Sequence, residues 1–112
     1  PMDAKALAYK TALEATIAEC TAKADAANSS FDVWDRAEIE YLRDIVHRLD
    51  TESAQHVYNT LLTELPTLEE QVAREEGCYT FDWYDDHYYE KIYSGRLCGC
   101  KKAIALYGAL QV

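Results

Sequence analysis

The sequence predicts an all-α fold, a compact bundle of five to six helices that opens with a long N-terminal helix. Three observations predict it. The 112 residues include only four Gly and two Pro, one of the Pro at position 1, so few positions interrupt a helix. Hydrophobic residues make up 49% of the chain, enough for one continuous core in a single domain of this length, residues 1–112. The apolar residues recur at spacings of three and four rather than two.

Pro1 ahead of Met2 reads as an expression remnant, with Met2 the natural start. No continuous apolar segment follows, and no run of ~18 apolar residues occurs anywhere, so neither a signal peptide nor a transmembrane helix is expected. A soluble, cytoplasmic protein is the expectation.

The first helix is placed from about Asp3 to Ala27. Ala6, Leu13, Cys20 and Ala27 recur every seven residues, with Lys10, Ile17 and Ala24 at the intervening heptad position. This narrow stripe suits a bundle core better than a zipper, because it contains Lys10 and several Ala. Asn28-Ser29-Ser30 then bond locally to the backbone and break the helix.

The second helix is placed from about Asp32 to Leu49, with Asp35 and Glu38 at capping-box spacing. Its apolar face is Trp34, Ala37, Tyr41, Leu42, Ile45 and Leu49. Asp50 is the next candidate N-cap, with Glu52 in the first turn. A third helix to about Leu65 shows the cleanest periodicity: Ala54, Val57, Tyr58, Leu61, Leu62 and Leu65.

Pro66 is expected to stop or kink this helix. Thr67 and Glu70 then start a short fourth helix that ends at Gly77, largely exposed because Val72 has few apolar companions. A fifth helix is capped by Thr80 or Asp82 and runs to about Tyr93, where Ser94-Gly95 either interrupts it or bends it into the next. A sixth runs from Arg96 to Leu110 with Leu97, Cys100, Ile104, Tyr107 and Leu110 inward.

The net charge of −9 is unevenly spread. Residues 1–63 carry 11 acids and 6 bases; residues 64–90 carry 9 acids and Arg74 alone; residues 91–112 carry four bases and no acid. Direct nucleic-acid binding is disfavoured, since phosphate neutralisation needs a basic patch. A partner with a basic surface is the better expectation.

The densest stretch is Tyr79–Tyr93, YTFDWYDDHYYEKIY, with seven aromatic and four acidic residues. On a helix, Phe81, Tyr84, Tyr88 and Ile92 share one face, assigned to the core. Asp82, Asp86 and Glu90 form a row on another, with Asp85 beside the core stripe and Tyr89 and Tyr93 beside the acids. Helical neighbours three or four apart lie about 5–6 Å from one another. That is close to the spacing of backbone phosphates, so the row can imitate a nucleic-acid strand to a basic groove. Tyrosines and Trp83 add interface area with polar tips. The candidate partner-binding set is therefore Glu69, Glu70, Glu75, Glu76, Asp82, Trp83, Asp85, Asp86, Tyr89, Glu90 and Tyr93. A row of acids is more often a solvated face; the charge concentration over residues 64–90 is what favours an interaction.

No catalytic motif is present: Gly-x-Ser-x-Gly, HExxH, a phosphate loop and paired Glu-x-x-His are all missing, so no enzyme and no cofactor is expected. Cys78, His87, Cys98 and Cys100 are four potential zinc ligands, but Cys98-Gly99-Cys100 is C-x-C rather than C-x2–4-C, and a helix points such positions apart. Inert thiols are the simpler reading. Asp44 with His47, and Glu52 with His56, read as surface pairs.

Small, acidic and without motif, the chain is similar in character, though in no shared motif, to phage-encoded counter-defence proteins such as anti-CRISPR proteins. The expectation is a small acidic inhibitor that blocks the basic nucleic-acid-binding surface of a target by mimicking DNA charge. The alternative is a non-enzymatic helical adaptor whose first helix, through Leu13 and Ile17, pairs with a second copy or a partner helix. A third reading is a zinc- or thiol-dependent protein centred on Cys98.

Overall fold

A computed structural model describes residues 2–26, 32–77 and 83–111, without the side chains of residues 83–87. These residues form four helices: α1 (Ala4–Ala26), α2 (Val33–Arg48), α3 (Ala54–Gly77) and α4 (Trp83–Ala109). The five to six helices expected become four because two predicted breaks are absent. α1 has 23 residues, yet α3 with 24 and α4 with 27 are longer.

Pro66 lies inside α3, exposed to solvent, and the helix continues through it. Its ring removes one N–H from the helix ladder. Leu61 and Leu68, buried on either side of it, hold both halves of the helix against the core. Thr67 and Glu70 are therefore mid-helix residues, not a cap. The start of α3 also differs from expectation. Ser53, not Asp50, caps it: Ser53 Oγ accepts the His56 N–H at 3.1 Å.

Ser94-Gly95 does not interrupt α4 either. Gly95 is where α4 crosses α2. A β-carbon there would strike the Trp34 carbonyl and come within 2.9 Å of Ala37 Cβ. One turn on, a β-carbon at Gly99 would lie 3.3 Å from the Glu38 carbonyl oxygen and from Tyr41 Cδ1. Gly95, offered with Ser94 as a break, and Gly99 in fact let two backbones touch, as small-xxx-small seams do between close helices. Ala103 continues the seam and is fully buried.

The core joins all four helices: Tyr9 and Leu13 of α1, Leu42 and Ile45 of α2, Val57 and Leu61 of α3, Cys100, Ala103 and Tyr107 of α4. Tyr107 is its aromatic centre. Tyr58 stacks on it at 4.4 Å, Tyr9 meets it edge-on at 5.1 Å, and its hydroxyl donates to Gln55 Oε1 at 3.1 Å. Tyr9 sits on the Ala6–Leu13 face, a place the heptad reading gave to Lys10. Lys10 is half-buried and reaches Asp50 at 3.9 Å. No described helix is long and apolar enough to cross a membrane.

Candidate functional site

The second half of α3 carries Glu69, Glu70 and Glu76 exposed and Glu75 half-buried. Apolar contact on this stretch comes from buried Leu68 and half-buried Val72, so its other faces turn to solvent. Arg74 pairs with Glu70 at 3.0 Å, both side chains largely exposed, and such pairs contribute little.

α3 and α4 run antiparallel. Cys100 Sγ donates to the Leu61 carbonyl at 3.6 Å, and Tyr107 reaches Gln55. Continued along both axes, that register sets Glu69–Glu76 level with the first third of α4. Tyr89 is half exposed there, and Tyr88, assigned to the core from its spacing, is also exposed, at 38%. The two rings meet edge-on at 5.4 Å. Tyr88 is on the same face as Ile92 and Gly95, but two turns before the Gly95 crossing; with Lys91 already level with Asp32 at 3.4 Å, it lies ahead of the start of α2 at Val33, which does not cover it. Ile92 and Glu90 are half-buried, and Tyr93 is half-buried beneath the Arg96 guanidinium at 5.7 Å.

Asp82 lies outside the described residues, as do the side chains of Trp83, Asp85 and Asp86, together with Phe81 and the side chain of Tyr84. The structure thus places Glu69, Glu70, Glu75 and Glu76 on the last turns of α3, at the axial level that this register gives to the start of α4. A cleft of about 510 Å³ between α2 and α4 has Tyr41 and Tyr88 among its walls and balanced charges from Arg36, Glu40, Asp44 and Arg96.

The heptad stripe of α1 faces the protein's own core: Leu13 is fully buried and Ile17 half-buried against it. His47 and His56 are surface residues, with His56 Nε2 at 3.4 Å from Glu52. Cys98 and Cys100 face different neighbours. Cys78 and the side chain of His87 are outside the described residues, among which no group of three or more residues is arranged to hold a metal ion.

Sequence reasoning missed one cluster. Glu38, read as a capping-box residue, is 2% exposed. Lys102 Nζ stands 3.0 Å from Glu38 Oε2, an ion pair without hydrogen-bond alignment, and 3.6 Å from Cys20 Sγ. Burial alone would raise the Glu38 pKa. The neighbouring Cys98 thiol, Lys102 ammonium and Cys20 thiol outweigh that and hold it below the ordinary carboxylate value. Burial first, and then Glu38, push the Cys98 thiol up to about 11 and raise Cys20 as well. The signal was available: position 38 lies one turn from both Trp34 and Leu42, on the apolar face of α2.

Comparison with protein-family models, with curated proteins and with solved structures returns no match.

Proposed function

We propose that this chain is a small, non-enzymatic, acidic inhibitor that acts in the cytoplasm by occupying the basic nucleic-acid-binding surface of a partner protein, in the manner of a phage counter-defence protein. The observation that carries this reading is the end of the molecule built from α3 and α4. There Glu69, Glu70 and Glu76 are exposed at the end of α3, and Tyr88 and Tyr89 are exposed near the start of the antiparallel α4. Arg74 is the one base between residues 64 and 90, against nine acids.

Carboxylates on a rigid helix present fixed negative charge at near-phosphate spacing, which steers association with a basic groove. Tyrosines beside them supply contact area with little side-chain entropy to lose. Glu90 and Tyr93 are the described members of the aromatic-acidic stretch, to which Asp82, Trp83 and Asp86 belong by sequence. The mixed charge of the neighbouring cleft favours a broad protein partner over a small anionic or cationic ligand.

The test uses immobilised protein and a Glu69→Lys/Glu70→Lys/Glu76→Lys variant of matched helicity. Both are exposed to bacterial lysate, then washed with duplex DNA or with rising salt. Nucleic-acid-binding proteins held by the wild type, absent from the variant and displaced by DNA and by salt are the expected result. Equal capture by the variant, or capture indifferent to DNA, would sink the reading.

A further inference from the structure

α1 and α2 run antiparallel, and a groove of about 630 Å³ lies between them. Lys10 of α1 reaches Asp50, just past the end of α2, at 3.9 Å. Further along, Lys102 Nζ lies 3.6 Å from Cys20 Sγ and 3.0 Å from Glu38 Oε2, which keeps Cys20 and Glu38 near one level. Between these two contacts, Glu14 falls between the levels of Arg43 and His47. Ile17 and Val46 form the groove's floor, half-buried and packed on the core. Thr21 joins them, its hydroxyl already donated to the Ile17 carbonyl at 2.8 Å.

The rims are exposed and opposite in sign. Glu14 and Asp25 stand on the α1 side with Ala18 and Ala22 between them, and Arg43 stands with His47 on the α2 side. Among the described residues, Glu14, Asp25 and Arg43 meet no ion-pair partner. A uniformly charged segment laid in this groove is repelled along one rim, whereas a second copy of the groove is not. Turned by 180° about an axis along the groove, the copy lays its α1 rim across this chain's α2 rim, and Glu14 of each falls between Arg43 and His47 of the other. Turned about an axis across the groove, the copies would set Glu14 against Asp25, acid on acid. Charge therefore selects the first arrangement, and the small Ala18 and Ala22 let the copies approach.

We propose that the groove between α1 and α2 is a self-association surface through which two copies of this chain form a two-fold dimer. A second copy covers Ile17 and Val46 and supplies each unpaired rim with opposite charge. This face of α1 differs from the heptad stripe through Leu13, which the chain's own core already covers. None of the acids of residues 64–90 lines the groove, so the inference stands apart from the acidic surface of α3 and α4. A contact of this extent belongs to the weak, concentration-dependent class.

The experiment is sedimentation equilibrium of the full chain over a concentration series at neutral pH. Wild type should pass from monomer to dimer. Glu14→Arg removes the acid opposite Arg43, and Arg43→Glu removes the base opposite Glu14; both positions are exposed, so helicity should be kept. Each should weaken dimerisation by roughly tenfold or more, because two-fold symmetry applies every change twice. Mixing the two variants should restore a dimer with one chain of each, and the chain carrying both substitutions should dimerise alone. A photo-crosslinking residue at position 18 should join two chains through α2 of the other copy. A chain that stays monomeric throughout, a dimer unaffected by either reversal or a mixture that stays monomeric would each overturn the proposal. So would a crosslink in lysate to another protein with none between copies.

Discussion

Lys102 Nζ lies 3.0 Å from the Glu38 carboxylate, and the glutamate side chain is almost wholly enclosed while the lysine side chain is 40% exposed. The pair is therefore lopsided. Removing the cation strands a buried charge, whereas removing the carboxylate leaves a lysine that water can solvate. Lys102→Met should lower the unfolding free energy by about 3 kcal/mol, and Glu38→Gln by roughly half that. Urea denaturation at neutral pH measures both, and equal losses would contradict the asymmetry.

The same pair sets a pH dependence. Glu38 has a folded pKa below its ordinary value of 4.5, so its contribution is present above 4.5 and is lost as pH falls through the lowered folded value. The Lys102 pKa is raised: burial opposes this, and the Glu38 carboxylate outweighs it. Its contribution is present below 10.5 and is lost as pH rises through the raised folded value. Denaturation midpoints against pH should fall on the acid side for the wild type, and less steeply for Glu38→Gln.

The internal glycines of α4 should respond oppositely to alanine. At Gly95 the added methyl meets backbone, which cannot move aside, so Gly95→Ala should cost about 2 kcal/mol despite better helix propensity. At Gly108 nothing lies within 4 Å of the new methyl, so Gly108→Ala should stabilise by about 0.5–1 kcal/mol. Thermal melts should shift down for the first and up for the second.

Pro66→Ala restores an N–H to an exposed point inside α3. A gain of about 1–3 kcal/mol is expected, since proline in a helix interior costs about 3 kcal/mol relative to alanine. Hydrogen exchange on α3 should slow in the variant, most of all in the turn before residue 66.

Much of the fold was legible because the relevant residues act locally. The stripes Ala37–Leu42–Ile45 and Val57–Leu61 read as buried faces and are buried. Cys100 and Tyr107 were also placed correctly. What failed depended on a second helix. Gly95 reads as a break until Trp34 and Ala37 are seen against it. Glu38 reads as a cap until Lys102 and two thiols from other helices surround it. Tyr88 reads as core because Phe81, Tyr84 and Ile92 share its face, but that face runs past the start of α2 at Val33, which leaves the ring uncovered. Of the site, the exposure of Glu69, Glu70, Glu76 and Tyr89 was readable from local charge and the shortage of apolar neighbours, while the half-burial of Glu75 and the Arg96 cover on Tyr93 were not.

Because α4 touches each of the other three helices, and α2 and α3 both lie mainly against it, the last of the four described helices is the one α2 and α3 need. During synthesis the first three helices leave the ribosome before their common partner exists. Leu42, Ile45, Val57 and Leu61 then have no Ala103 or Tyr107 to close upon. Cooperative folding must wait for the C-terminal third, so the nascent chain passes through a stage in which its apolar faces are open to chaperones and to other chains.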